Sequence, residues 1–258
     1  MSETKNEIYN NLSLALNNGE FFLCYQPIID ALTNKPLWFE ALIRWDRPSI
    51  GIISPMSFIP VCEETRLIIP IGMWVLKSAC SQLKTWHKLG FTKCGISVNV
   101  SPVQLQQHDF AEVVCNLLDD TDLSSSYLLL EIIESVQLEK DYNVIRNLTC
   151  LKKQGIKISI DDFGTGYNCL QYLQNFVFSS LKIDVSFIKN LENDVSKVIV
   201  DSIISLGHKL EAKIIAEGIE TKAQYEYLKN KECDMLQGYY FSKPITAEEM
   251  LVFLNNNF

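Results

Sequence analysis

The sequence lacks the short motifs that mark several large enzyme classes. It contains no G-x-S-x-G, Walker or G-x-G-x-x-G pattern, so neither a serine hydrolase nor a P-loop or dinucleotide-binding enzyme is predicted. Its three histidines, His87, His108 and His208, lie in helix-like segments without mutual ligand spacing. The eight cysteines include no C-x-x-C pair and lie scattered in apolar segments. This distribution is typical of buried free thiols in a reducing compartment rather than of zinc ligands or disulfides.

Long apolar runs and a basic charge balance are also missing. No window approaches the ~18 uninterrupted apolar residues of a membrane span, and residues 1–18 are polar, without the pattern of a signal peptide. We therefore expect a cytoplasmic protein with no membrane insertion. The net charge of −8 argues against binding to large nucleic acids, which requires many lysines and arginines. A small phosphorylated ligand remains compatible, because bound divalent metals would reverse the local field.

The chain shows no Pro/Gly/Ser-rich linker and no low-complexity stretch within its 258 residues, of which 47% are hydrophobic. A single domain over residues 1–258 is predicted, with an N-terminal helix within 1–20. This length suits an α/β barrel, which commonly needs ~250 residues.

Short runs rich in Ile, Val, Leu and aromatics alternate with helix-like segments. The predicted strands are 21–29, 37–45, 95–100, 127–134, 156–161, 180–183, 212–216 and 235–241. The predicted helices are 54–69, 72–89 (separated from the first by Pro70), 102–118, 142–154, 170–175, 196–209, 223–231 and 246–255. Eight strands alternating with helices predict a (β/α)8 barrel, and an open doubly wound sheet is the alternative. The short connection 30–36 has hairpin length, so the first strand is expected to run antiparallel to the second.

Acidic residues recur at or near the ends of these apolar runs. They are Glu40, Glu131, Asp161, Asp162, Glu217 and Glu220. Burying a carboxylate without a partner is costly, and one case alone would suggest a salt bridge. Several at the ends of different strands favour convergence on a shared cation, and they favour a barrel, which gathers its strand ends in one ring.

Strand periodicity and local sequence suggest how some of these residues act. Glu40 and Arg44 share a strand face, which fits either a metal ligand beside a cation or a buried ion pair. Asn99 could cap the following helix or offer a neutral oxygen to a metal. Glu131 and Glu134 point to opposite faces of a straight strand, so one would act from the strand and the other from the loop, unless Glu134 is simply solvated.

The segment Asp161-Asp162-Phe163-Gly164-Thr165-Gly166-Tyr167 is the most specific local signal. Adjacent carboxylates repel one another unless cations lie beside them, and an acidic turn is the alternative. Lys182 and Asp184 share a strand face. They could form a salt bridge, or Lys182 could be a cation that orients a water molecule or stabilises a phosphate oxygen. Glu217 and Gln237 each precede a glycine that leaves room for a ligand.

Together these oxygen donors and one lysine suit Mg²⁺ or Mn²⁺ rather than zinc or copper. Two such metals about 3.5–4 Å apart can support in-line attack of water on a phosphodiester.

With these motifs in order, the chain resembles the EAL-domain family of bacterial cyclic di-GMP phosphodiesterases, from about Phe21 to Leu251. The motifs are Tyr25-Gln26-Pro27, Glu40-Ala41-Leu42-Ile43-Arg44-Trp45, Ser97-Val98-Asn99, Glu131 with Glu134, the DDFGTGY run from Asp161, Lys182-Ile183-Asp184, Ala216-Glu217-Gly218-Ile219-Glu220 and Gln237-Gly238-Tyr239. The resemblance implies a modified (β/α)8 TIM-type barrel with one antiparallel strand. It also implies hydrolysis of cyclic di-GMP to linear pGpG with Mg²⁺ or Mn²⁺, two per site.

The resemblance further implies a role for each matched residue. The implied metal ligands are Glu40, Asn99, Glu131, Asp161 and Asp162, with Asp161 bridging to the second metal. The implied catalytic residues are Lys182, which orients the attacking water, with Glu217 and Asp162. The implied contacts to the dinucleotide are Gln26, Leu42, Arg44 and Gln237. The implied supporting residues are Glu134, which anchors the DDFGTGY loop, with Glu220, Asp184 and Gln237.

The sequence departs from the family pattern at four positions without losing a matched metal ligand. Asn168 and Cys169 replace small residues after the loop tyrosine, Ile133 replaces a common Thr, and Arg66 stands where Gly is usual. A non-catalytic cyclic di-GMP receptor or partner-binding EAL module is the alternative function. An unrelated metal-dependent barrel, such as a glycerophosphodiesterase or an enolase-like lyase, is disfavoured by the DDFGTGY loop. The resemblance also predicts a homodimer and, since no GGDEF or sensor module is present, regulation by a protein partner or self-association.

Overall fold

The computed structural model describes residues 5–48, 50–133, 141–165 and 178–257. Within them, nine strands form one sheet: β1 (Phe21–Asp30), β2 (Pro36–Arg47), β3 (Gly51–Ile53), β4 (Gly95–Val100), β5 (Leu128–Ile133), β6 (Lys157–Phe163), β7 (Ser180–Ile183), β8 (Lys213–Ala216) and β9 (Met235–Gln237). Eight of them close into a barrel in the order β1-β9-β8-β7-β6-β5-β4-β2, because β1 also pairs with β2. The predicted barrel is confirmed, and the open doubly wound sheet is excluded.

Strand β1 runs antiparallel to both of its neighbours, β2 and β9, whereas the other barrel pairs are parallel. The hairpin predicted at 30–36 is therefore present, and Asn34 in its turn has a positive φ of 58°, a conformation that Asn tolerates. The short β3, which sequence analysis missed, pairs antiparallel with β2 outside the barrel.

Helices pack around the strands. They are α1 (Lys5–Ala15), α2 (Pro55–Glu64), α3 (Ile68–Lys88), α4 (Pro102–Leu105), α5 (Phe110–Asp120), α6 (Tyr142–Lys153), α7 (Val185–Lys189), α8 (Asp194–Lys209), α9 (Lys222–Asn230) and α10 (Ala247–Asn257). Helix α3 buries residues at intervals of three or four, and its Trp86 packs edge-on against Tyr25 and Phe39 with ring centroids 4.9 and 5.2 Å apart. None of the helices in the described ranges has the length and apolar character needed to cross a membrane.

Two predicted boundaries and one predicted continuous helix are wrong, and another predicted helix lies outside the described residues. The helix predicted over 102–118 is two helices, α4 and α5, with residues 106–109 between them. The last strand ends at Gln237 rather than at 241, because Gly238 packs against the backbone of Ile219 and the chain turns there. Pro70 does not separate α2 from α3: it lies in the first turn of α3, where its missing N–H costs nothing. The predicted helix 170–175 lies outside the described residues.

The break between α2 and α3 is made by Arg66, whose φ is 63°. This left-handed conformation costs an L-residue with a Cβ roughly 1–2 kcal/mol relative to glycine. The departure at Arg66 therefore places a strained residue where glycine would fit.

Arg66→Gly and Arg66→Ala remove the same charged side chain, but only glycine relieves the positive φ. We expect Arg66→Gly to exceed Arg66→Ala in free energy of unfolding by about 1 kcal/mol. Thermal and urea unfolding of the two variants would measure this difference. Equal stability, or a more stable alanine variant, would mean that the backbone at this position is not strained.

Alternation along the strands divides the barrel interior into two layers. Near the amino ends of the parallel strands, an apolar cluster forms apart from the main core: Ile28, Trp38, Leu129, Ile215 and Met235. One step further along the strands, the buried inward residues are polar: Gln26, Glu40, Ser97, Glu131, Ser159, Lys182 and Gln237. The apolar layer closes one end of the barrel, and the polar layer opens toward the carboxyl ends of the strands.

Asp234 ties the starts of β8 and β9 together. Its carboxylate accepts hydrogen bonds from Lys213 Nζ at 2.6 Å, His208 Nε2 at 2.9 Å and the Ile214 amide at 3.0 Å. Burial alone would raise the pKa of Asp234, but these donors outweigh it and hold the pKa below its usual value. A carboxyl with a lowered folded-state pKa contributes stability above its unfolded pKa of about 3.9, and this stability is lost as the pH falls through the folded pKa.

We expect Asp234→Asn to lower the free energy of unfolding by about 1–2 kcal/mol at pH 7. The difference in free energy of unfolding between this variant and the parent should shrink as the pH falls below about 4. There the Asp234 carboxyl protonates first in the unfolded state and then, at lower pH, in the folded state. Asp194→Asn is the matched control, because the Asp194 side chain is 94% exposed. A difference that stays constant between pH 7 and pH 3 would contradict the assigned role of the charge.

Candidate active site

A single buried ammonium lies among four carboxylates in the polar layer of the barrel. Lys182, which is 1% exposed, comes from β7 and lies 2.5 Å from Glu131, 3.2 Å from Asp161 and 3.8 Å from Glu40. It also contacts Glu217 directly. These acids come from β2, β5 and β6 and from the end of β8. Barrel closure thus brings together four of the six acidic residues that the sequence analysis singled out.

Glu40 is held by amide side chains. Asn99 Nδ2 donates to its Oε1 at 2.7 Å, and Gln237 Nε2 donates to its Oε2 at 2.6 Å. Gln237 Nε2 also donates to Gln26 Oε1 at 3.1 Å, and Gln26 Nε2 donates to the Ser242 carbonyl at 3.0 Å. The two glutamines therefore link Glu40 to the segment that follows β9.

Glu131 is completely buried. Its Oε1 accepts a hydrogen bond from the Ser97 hydroxyl, and its Oε2 accepts one from Lys182. Ser97 was not identified from the sequence as a site residue. Its position two residues before Asn99 on β4 would have revealed it, because residues at even spacing share a strand face.

The adjacent Asp161 and Asp162 both stay near the barrel mouth because the strand is irregular there. The pairing of β6 with β7 shifts register between Ile160 and Phe163, and Asp162 has a φ of 54°. The Asp162 amide donates to Asp161 Oδ1 at 2.9 Å. In a regular strand the two side chains would point to opposite faces, so the bulge and the left-handed residue bring both carboxylates to one end.

One lysine cannot balance these four carboxylates, and the pKa values of Glu131 and Glu217 are raised. Burial, with the neighbouring Glu40 charge, raises the pKa of Glu131 to about 8. Burial also raises the pKa of Glu217 well above its usual value. Burial alone would raise the pKa of Glu40, but Lys182 and the two amide donors outweigh it and lower that pKa. The cluster therefore has an excess of acidic groups over positive charge.

Residues 9–244 match the EAL domain family. The chain belongs to this family. The bifunctional diguanylate cyclase/cyclic di-GMP phosphodiesterase MucR of Pseudomonas aeruginosa is 40% identical over 246 residues, 95% of this chain, and the chain spans 36% of that relative's length.

Solved EAL structures share the fold. The PaMucR phosphodiesterase in complex with c-di-GMP has a TM-score of 0.90 at 40% identity, covering 95% of this chain and 99% of that chain. An EAL domain protein from Listeria monocytogenes has a TM-score of 0.85 at 30% identity, covering 99% of both chains.

The donors in this EAL domain fit hard divalent cations. Among the described residues, no three acidic, cysteine or histidine side chains already surround a common point as metal ligands. The Lys182 ammonium lies between the four carboxylates. In the described part of the chain, the buried Glu217 Oε1 contacts the Lys182 ammonium and has no other hydrogen-bond donor. Carboxylate and amide oxygens are the ligands that Mg²⁺ and Mn²⁺ prefer, and added cations would supply the missing positive charge.

The remaining residues singled out from the sequence lie in different places. Leu42 and Arg44 line a cavity of about 490 Å³ beside Asn99 at the barrel mouth. Asp184 caps α7 by accepting a hydrogen bond from the Ser186 amide at 2.9 Å. Burial, together with the neighbouring Asp161 and Asp184 carboxylates, raises the pKa of Asp162 to about 6. Glu220 is exposed, and among the described residues its carboxylate pairs with Lys189 at 4.0 Å, so the structure does not bring it into the cluster.

Glu134 lies outside the described residues, as do Asn168 and Cys169. The loop-anchoring role of Glu134 and the effect of the two loop substitutions therefore stay predictions. Ile133 is described, as the last residue of β5, and lines the same cavity as Leu42 and Arg44.

Replacing Lys182 by Met should destabilise the protein in the presence of a chelator. Removing the cation leaves buried carboxylates uncompensated, which typically costs about 3–5 kcal/mol. Chemical unfolding of Lys182→Met beside the surface control Lys153→Met would measure the loss. If the two variants unfold at the same denaturant concentration, Lys182 does not hold the cluster together.

Proposed function

We propose that this chain hydrolyses cyclic di-GMP to linear pGpG by metal-assisted attack of water on one phosphodiester bond. The observation that carries the proposal is the cluster of four carboxylates around one buried lysine at the open end of the barrel. The cyclic di-GMP named for MucR and for the PaMucR structure supports the choice of substrate.

Two divalent cations, Mg²⁺ or Mn²⁺, would be held by oxygen donors at this end of the barrel: Glu40, Asn99, Glu131, Asp161 and Asp162. When bound, the cations would polarise the phosphodiester and lower the pKa of the attacking water. Asn99 and Gln237 already fix the orientation of Glu40, and Ser97 fixes that of Glu131. These contacts preorganise the ligands before any cation arrives.

Lys182 and Glu217 would act on the attacking water. The Lys182 ammonium can only donate, so it would orient the water or a phosphoryl oxygen through its N–H groups. Glu217 lies against Lys182, so its carboxylate would accept the proton from the water as the water oxygen bonds to phosphorus. The bond from phosphorus to the leaving ribose oxygen then breaks, and that oxygen takes up a proton from solvent and ends as a hydroxyl.

The dinucleotide would lie across the barrel mouth. Leu42 and Arg44 line the apolar cavity there, so Leu42 would contact a base and Arg44 a phosphate. Gln26 and Gln237 lie deeper, where Gln237 donates hydrogen bonds to Gln26 and to Glu40. Both glutamines would contact the substrate from the barrel interior.

The same proposal includes partners and location. A homodimer and regulation through a protein partner are proposed from the family resemblance, and a cytoplasmic location is proposed from the cysteine distribution. Light scattering at several protein concentrations, with and without cyclic di-GMP, would measure the oligomeric state.

The direct test is incubation of the chain with cyclic di-GMP and Mn²⁺, with products separated by chromatography. We expect linear pGpG with metal and none with chelator. Glu40→Ala should lower the rate by a factor of at least about 10² and weaken metal binding, whereas Glu112→Gln, an exposed change on α5, should leave both unchanged. Binding without cleavage would support a receptor instead of an enzyme. If the chain neither binds nor cleaves cyclic di-GMP, the proposal is refuted.

Glu217→Gln separates chemistry from binding. The amide cannot take a proton from the water, so we expect kcat to fall by about 10²–10⁴ while the Kd for cyclic di-GMP stays within about threefold. Single-turnover kinetics and equilibrium binding on the same preparation would measure both. Equal losses in turnover and in binding would assign Glu217 to ligand binding rather than to proton transfer.

A further inference from the structure

The cavity of about 490 Å³ at the barrel mouth has an apolar wall that a ligand can reach. Among its lining residues, Met56 is 87% exposed, Ile133 is 36% exposed and Leu42 is half-buried. Asn99, which donates a hydrogen bond to Glu40 in the carboxylate cluster, lines the same cavity. A flat apolar group bound in this cavity would therefore lie next to the candidate active site.

Glu63, on α2, is the one acidic residue among the described residues that line this cavity. It is half-buried, and its Oε1 accepts a hydrogen bond from the Ser101 hydroxyl at 2.6 Å. Within the described ranges, Glu63 forms no ion pair and its Oε2 accepts no hydrogen bond. A carboxylate can only accept, so its free oxygen in an apolar cavity favours a ligand that presents N–H groups.

Ser101 holds the Glu63 carboxylate in one position. Its backbone N–H donates to Gln104 Oε1 at 3.1 Å, and its hydroxyl accepts a hydrogen bond from the Val103 amide at 3.2 Å, as a capping box at the start of α4. Gly72 on α3 leaves room for the Gln104 side chain, because a Cβ there would lie 2.2 Å from Gln104 Nε2. Packing of α3 against α4 therefore fixes the group that orients Glu63.

We propose that Glu63 determines base specificity by accepting hydrogen bonds from one guanine of cyclic di-GMP bound in this cavity. The inference rests on the proposed function and adds the group that recognises the base. Guanine presents two adjacent donors on one edge, the N1–H and the 2-amino group, which match the two oxygens of a carboxylate. Adenine has an acceptor at N1 and no 2-amino group, so the same carboxylate would disfavour it. The ring would pack against Leu42 and Met56.

Cyclic di-IMP, whose hypoxanthine bases lack the 2-amino group of guanine, tests this contact. The kcat/KM for hydrolysis of cyclic di-GMP and of cyclic di-IMP with Mn²⁺ would be measured in the parent and in Glu63→Ala, and their ratio gives the discrimination. We expect the ratio to favour cyclic di-GMP by about tenfold or more in the parent and to fall at least about fivefold in the variant. The loss for cyclic di-GMP should lie mainly in KM, because the base is remote from the reacting phosphorus.

Two further variants separate recognition from a structural role. Glu63→Gln keeps the shape of the side chain but replaces one acceptor oxygen with a donor, so it should also lower the ratio. Glu64→Ala removes the neighbouring exposed acid, which does not line the cavity, and should leave the ratio unchanged.

Formation of linear pGpG by the parent distinguishes failure of this inference from failure of the proposed function. If the parent forms pGpG and both Glu63 variants keep the parent's ratio, the guanine contact is overturned while the proposed function stands. If the parent forms no pGpG, the proposed function fails and this inference fails with it.

Discussion

The structure depends on one buried ion cluster, whose charged side chains are stable only when the fold brings them into contact with one another. The Lys182 ammonium contacts Glu131, Asp161 and Glu217 and lies 3.8 Å from Glu40, and it is almost wholly removed from water. A lone buried lysine or a lone buried carboxylate would be severely unfavourable. Each group is therefore tolerable only because the barrel brings the others within reach. The surplus of acidic groups is also what fits the site to divalent cations.

The closed barrel satisfies that requirement through strand periodicity. Inward positions alternate with positions that pack against helices, so a strand can place Glu131 in the interior while Leu130 joins the surrounding core. The apolar layer containing Trp38 and Met235 keeps water from one side of the cluster. The antiparallel β1 completes the ring through its pairing with β2 and β9, and its Gln26 connects the cluster to the chain after β9.

Much of this could be predicted from sequence because the signals are local. The eight strands, the hairpin before β2 and the acids at strand ends all follow from composition and period. Prediction failed where tertiary contacts override local preference. Pro70 was expected to divide two helices, but in the first turn of a helix the proline's missing N–H has no intrahelical partner to lose. The helices are instead separated at Arg66, which has a positive φ. Ser97 could have been found from the strand face that it shares with Asn99, but its contact with Glu131 is known only once β4 pairs with β5.

The sequence alone determined the fold class, the family resemblance and the oxygen-rich chemistry of the candidate site, because these depend on residue type and spacing along the chain. Only the tertiary structure decided which acids share the lysine, that Glu220 stays outside the cluster, and that Asp162 takes a left-handed conformation at a bulge. It alone revealed that Glu63, held by Ser101, lines the cavity beside Leu42. These features depend on distances between strands far apart in sequence, which are fixed only when the barrel closes.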